Sequence, residues 1–234
     1  MTSSLLRHYA PTAHNKHVSK CPFGKLRAIL FSAKQVDRRT EDGRACPSQR
    51  EVLSWIRDFI VKPHADLGRS GPVCPFLPRA LREDTVLFQT VHTEGMSPES
   101  VDSMVKQYAS IFLTREPTKG KARLNKTIVL VFADVADDEA FVKIEMTQRR
   151  LKPFFVEHGL MLGEFHKNHQ APGVHNAKFR PLQSPVPLLV IRYMVESDLP
   201  FLTKESDPPT MRVKFLQSYR QLFSRSGAPN NAAG

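Results

Sequence analysis

Apolar positions recur at helical spacing in four stretches of the chain, and they run continuously or alternate in four others. Val52, Trp55, Ile56, Phe59 and Ile60 lie three or four residues apart behind Ser48 and Glu51, a capping-box pattern. That spacing predicts a helix ending near Pro63. Ser97, Pro98 and Glu99 open a second helix with Val101, Met104, Val105, Tyr108, Ile111 and Phe112 on one face. The acids Asp137, Asp138 and Glu139 suit the start of a third, through Phe141, Ile144 and Leu151. Pro153 kinks or ends it, and residues 154–156 can carry it on to Gly159. Pro208, Pro209 and Thr210 lead into a last helix with Val213, Leu216, Tyr219, Leu222 and Phe223. Residues 85–93 are rich in β-formers, and residues 127–133 (TIVLVFA) are an unbroken apolar run, the pattern of a strand covered on both faces. Residues 160–166 and 186–193 are the remaining strands. Gly68, Gly71, Pro72, Pro75 and Pro78 deny regular structure to residues 64–82. The interleaved order predicts one α+β domain, a sheet of about four strands with amphipathic helices packed on it.

Composition agrees with a soluble globular protein: 234 residues, 41% hydrophobic and 24% charged, ample chain for a core. No apolar run is long enough to cross a bilayer, which excludes a transmembrane class. The first residues show no secretory pattern. Three cysteines exclude a disulfide scaffold, and their odd number favours a reducing compartment, so the cytoplasm is the expected location.

The net charge of +11 suggests a nucleic-acid binder until it is divided along the chain. Residues 1–47 hold nine Lys or Arg against Asp37, Glu41 and Asp42, so the remainder is only mildly basic. Three units follow: a basic, flexible leader (1–47), a single domain (48–226) and a frayed tail (227–234). The leader reads as a flexible extension, an organelle transit peptide, a nucleic-acid-binding arm or an upstream stretch outside the functional protein. Residues 119–126 (KGKARLNK) read as a solvated loop or one that contacts phosphate.

Candidate chemistry gathers between the last two strands, in a loop of about 19 residues, a length usually associated with function or disorder. His158, His166, His169 and His175 fall in or beside it, with Glu164, Asn176 and Arg180. Imidazole and carboxylate groups at a strand end can bind a metal, ligate haem iron or perform acid–base work. Among these, His166 and His175 are the expected ligands, Glu164 or Asn176 would orient a ligand imidazole, and His169 reads as exposed. Arg180 offers a bidentate clamp for a substrate carboxylate. Every cysteine precedes proline: Cys21, Cys46 and Cys74. Cys74, within Gly71 to Phe76, is the one placed to reach a folded site, as a haem or metal ligand, a nucleophile or a small buried hydrophobe. A P-loop, a Gly-rich dinucleotide turn, a Gly-x-Ser-x-Gly elbow and a His-Glu-x-x-His helix are all absent.

The stretches 64–69 and 74–78, 160–166, 173–176, 180–182, 184–189 and 198–202 resemble a conserved bacterial family described as a domain of unknown function. The resemblance implies a shared fold over residues 49–223. The order of elements (an early Pro-Cys-type turn, a central apolar strand, a helix and a late Pro-Leu strand) more distantly resembles YqcI/YcgG-type proteins, which include haem-dependent enzymes. Together these readings set the expectation: a small haem- or metal-dependent enzyme of oxidative chemistry, acting on a small polar metabolite such as an amino acid. The alternative is an accessory protein that uses the leader and residues 119–126 on nucleic acid or an acidic partner.

Overall fold

The computed structural model describes residues 29–223. Five strands, β1 (Phe31–Ser32), β2 (Val86–Val91), β3 (Thr127–Phe132), β4 (Leu160–Phe165) and β5 (Leu188–Tyr193), form one mixed sheet in the order β1-β2-β3-β5-β4. β2 and β3 run parallel and the other neighbouring pairs antiparallel. β3 is central and buried at all six positions because helices cover both faces of the sheet. On one face α4 (Pro98–Thr114) and α5 (Met146–Glu157) pack Val105, Phe112, Leu151 and Phe155 against Ile128, Leu130 and Leu162. On the other face lie α1 (Ala33–Glu41), α2 (Pro47–Trp55) with its π-helical continuation Ile56–Ile60, and α3 (Leu77–Arg82). They bring Val36, Val52, Ile56 and Ala80 against Phe88, Val129 and Val131. Fully burying a ring such as Phe88, Phe112 or Phe155 contributes about 1.5–3 kcal/mol relative to leaving it in water. The helices α6 (Leu199–Leu202) and α7 (Pro209–Phe223) close a smaller cluster around Val156, Met161, Met194 and Phe215. The architecture is a single α+β arrangement with five strands rather than four.

The additional strand is β1, two residues long and therefore invisible to any periodicity. It lies in the stretch read as leader. Ser32 ends it and caps α1, accepting from the Gln35 backbone N–H while the Gln35 side chain accepts from the Ser32 N–H. Its hydroxyl also donates to Asp84 at 2.8 Å. With Ala33 2% and Val36 1% exposed, β1 and one face of α1 pack on the sheet, and the boundary drawn after residue 47 falls inside α2. The capping box expected at Ser48 is not formed; Cys46 occupies the N-cap and Pro47 the first helical position, where a missing N–H costs nothing. Pro78 similarly stands in the first turn of α3, so a proline-rich stretch expected to be irregular contains a helix. Pro153 lies inside α5 without ending it, and a π-helical turn, Phe141–Glu145, precedes that helix.

The basic run 119–126 is not uniformly solvated. Lys126 is fully buried, and its ammonium donates to the carbonyls of Phe112 at 2.6 Å and of Arg115, closing the C-terminal end of α4. Among the described residues no helix is long and apolar enough to cross a membrane. The leader up to residue 28, Cys21 within it, and the tail from residue 224 lie outside the described residues.

Candidate functional site

β4 pairs with β5 so that Glu164 stands opposite Leu189 and Phe165 opposite Leu188. Strand alternation sends Leu160 and Leu162 into the α4/α5 layer, and Phe165 into the α2 layer. Immediately beyond the strand, the His166 N–H donates to the Leu182 carbonyl at 3.3 Å and the His169 N–H donates back to the His166 carbonyl at 3.2 Å. This turn sets the two imidazoles with ring centroids 5.1 Å apart, each only 3% exposed. Glu145, last residue of the π-helical turn before α5, comes in from the helix side. Its Oε1 is 2.9 Å from His166 Nε2 and 4.0 Å from His169 Nε2, and its Oε2 is held by Arg149 at 3.2 Å. Glu164 Oε1 lies 3.6 Å from His169 Nε2.

Two ring nitrogens in this cluster, His166 Nδ1 and His169 Nε2, are buried without a hydrogen-bond partner among the described residues. Such groups are costly, on the order of 1–3 kcal/mol each, unless something satisfies them. One donor atom each from Glu145, His166 and His169 lies within 4.8 Å of the others. An ion with bonds of about 2.1 Å spans up to about 4.2 Å between two donors and about 3 Å between donors at right angles. Glu145 Oε1 hydrogen-bonds His166 Nε2 at 2.9 Å, and its 4.0 Å to His169 Nε2 lies within the span of such an ion. Two imidazoles and one carboxylate suit Zn²⁺, Fe²⁺, Co²⁺ or Mn²⁺, and Glu164 brings a second carboxylate to the same His169 nitrogen that faces Glu145. The Ala171 N–H donates to His169 Nδ1 at 3.1 Å, which in the neutral ring puts the proton on Nε2, facing the two carboxylates. Further along α5, Lys152 is buried with its ammonium on the Phe201 carbonyl and Asp207; burial pulls it below the usual lysine range, and Asp207 and Glu164 oppose that shift.

The sequence-predicted residues divide between this cluster and its surroundings. His166 and Glu164 belong to it. His169, expected to be exposed, is buried in it, and Glu145 was not singled out at all. Its only signal was a carboxylate at a helical position beside the apolar Ile144, and helix surfaces carry many of those. His175 is exposed on the loop, its backbone against Gly68, where a Cβ would stand 2.9 Å from both the Cβ and the carbonyl oxygen of His175. Gly68 also has φ +76°, so that contact requires glycine on two counts. Asn176 holds the loop in place: its amide donates to the Asp66 carbonyl at 2.8 Å and its side-chain oxygen accepts from the Lys178 N–H at 2.9 Å. Cys74 is half-buried, its N–H bonded to the Ile60 carbonyl at 2.9 Å. Phe76, two residues on, lies under the Arg192 guanidinium at 5.9 Å, toward the end of β5 opposite Leu188 and Leu189. The structure therefore does not bring Cys74 to the two imidazoles. Arg180 lies on a separate cleft of about 400 Å³ with Trp55, Phe59, His64 and Phe179.

The fold and this cluster define an α+β protein with a buried carboxylate–imidazole site beside a long loop. A family model described as a domain of unknown function, DUF6875, matches residues 49–233, and the chain belongs to that family. No curated protein and no solved structure matches the chain. The more distant likeness to YqcI/YcgG-type haem proteins gains no support from these matches.

Proposed function

We propose that the protein is a metal-dependent enzyme acting on a small polar metabolite such as an amino acid, with one divalent transition-metal ion held by Glu145, His166 and His169. The observation that carries this reading is the meeting of one carboxylate and two nearly inaccessible imidazoles, with His169 Nε2 left unpartnered at 4.0 Å from Glu145 Oε1. Three protein ligands would leave positions open, and an ion so held polarises a bound oxygen or activates water or dioxygen. A bare ion suits the site better than haem, because both rings are 3% exposed and a porphyrin needs an imidazole facing an open slot. The cytoplasm is the proposed setting, from the cysteine usage.

A second reading rests on the Ala171 contact. With Nδ1 of His169 accepting that N–H, its Nε2 proton is aimed at Glu145 and Glu164, a metal-free arrangement suited to general acid–base work. Ion binding through Nε2 would displace this proton and exchange the Ala171 contact.

Cobalt(II) titration of the full chain, followed by visible absorption and metal analysis, separates the readings. About one equivalent should bind with ligand-field bands that disappear in Glu145→Gln and His166→Ala and persist in His175→Ala. Uptake unchanged in both cluster variants would end the metal proposal, and a Soret shift with hemin that depends on His166 would restore haem.

A further inference from the structure

The cleft carrying Arg180 lies on the α2 side of the sheet, whereas Glu145 and Glu164 approach the imidazoles from the α5 side. Its floor is aromatic. His64 and Phe179 have centroids 4.8 Å apart, Phe59 lies 5.6 Å from His64 and 6.1 Å from Phe179, and Trp55 lies 6.2 Å from Phe59. Trp55 and Phe59 stack with 27° between their planes, Phe59 meets His64 edge-on, and Trp55, Phe59 and His64 remain only half-buried where a core would cover them completely. The rim is cationic, with Lys178 and Arg180; the one carboxylate among the lining residues, Asp66, is 3.9 Å from His64. The two hydrogen bonds that hold Arg180, to the carbonyls of Ala177 at 2.6 Å and Phe179 at 3.2 Å, both leave from Nη1. Rings to receive a flat face, and cations at its edge, together select a flat molecule with a negative end.

We propose that this cleft binds a planar aromatic carboxylate, with the ring laid on the stacked, half-buried Trp55 and Phe59 and the carboxylate between Lys178 and Arg180. A volume of about 400 Å³ is near the small end of ligand pockets and suits a one- or two-ring acid. The ligand would lie against the segment that carries the imidazoles: Phe165 stands edge-on to Trp55 at 5.8 Å, and the Gln183 amide donates to the His169 carbonyl at 3.3 Å. The inference does not depend on an ion at Glu145, so the test uses full-length protein stripped of metal.

Trp55 is the sole tryptophan of the chain and therefore a reporter inside the cleft. Addition of 4-fluorobenzoate should change its fluorescence saturably and broaden the fluorine resonance of the probe. The neutral 4-fluorobenzamide should bind about tenfold more weakly, and Lys178→Gln and Arg180→Gln should each weaken the acid about tenfold, the worth of one charge contact near 1.4 kcal/mol. Lys178 is exposed, so its variant remains informative if loss of the Arg180 carbonyl contacts loosens the loop. No saturable change up to about 20 mM probe, some 2.3 kcal/mol of affinity, overturns the proposal. Equal binding of acid and amide overturns it too, as does displacement of the acid by inorganic phosphate at equal concentration.

Discussion

Lys126→Met tests the account of the buried lysine through its pH dependence. Burial pushes the Lys126 ammonium down to about 8 from its ordinary 10.5, with Glu116 opposing that shift and Arg115 and Arg123 adding to it. The unfolded chain therefore binds more protons than the native one between pH 8 and 10.5, and native stability rises with pH across that window. The gain is fully present above pH 10.5 and is lost as pH falls through 10.5 toward 8. At 1.36 kcal/mol per unit the full difference is about 3 kcal/mol. A neutral amine still donates to the carbonyls of Phe112 and Arg115, so deprotonation breaks neither bond. In Lys126→Met this pH-dependent contribution vanishes, while two carbonyls lose their donor at a cost of about 1–3 kcal/mol each. Urea denaturation of both proteins at pH 7, 8, 9 and 10 measures the two effects. Wild type should gain on the variant by up to about 1.4 kcal/mol per pH unit above pH 8. Parallel stability profiles for the two proteins would refute the reasoning.

Asp198→Asn should destabilise the protein by about 3 kcal/mol in the same denaturation assay, because it leaves Arg192 without the paired carboxylate that meets it at 2.6 and 2.7 Å; a change under about 0.5 kcal/mol contradicts this. Burial raises the Cys46 thiol, but the Thr90 and Ser48 side chains and the amides of Gln49 and Ser48 outweigh it and hold the thiol below its usual range. Iodoacetamide at pH 7.5, followed by peptide mass spectrometry, should therefore label Cys46 ahead of Cys74. Faster labelling of Cys74 would contradict that order.

Long, strongly patterned elements were readable from the chain alone. Residues 127–133 carry six consecutive buried strand positions, and Val101, Val105, Tyr108 and Phe112 line one side of α4 as their spacing requires. The short pieces were not readable. β1 has two residues, and α1 owes its place on the sheet to Ala33, Val36 and the distant Asp84, contacts that no local window contains. At the site, strand-end position pointed to His166 and Glu164, whereas the burial of His169 and the approach of Glu145 across 21 residues were beyond reach. Asn176, Arg180 and His175, adjacent in sequence to the histidines, turn away toward residues 64–68 and the cleft.

By itself the sequence determined the longer helices and strands, that the central strand would be covered on both faces, and that histidines and carboxylates would follow β4. Those properties follow from side-chain periodicity and backbone preference, which act within a few residues. Tertiary structure alone decided which carboxylate meets the imidazoles, which lysine of a basic run is buried, and that aromatic rings from two separate segments would share one cleft. Those outcomes depend on how elements pack, and packing brings together residues between which the chain itself imposes no relation.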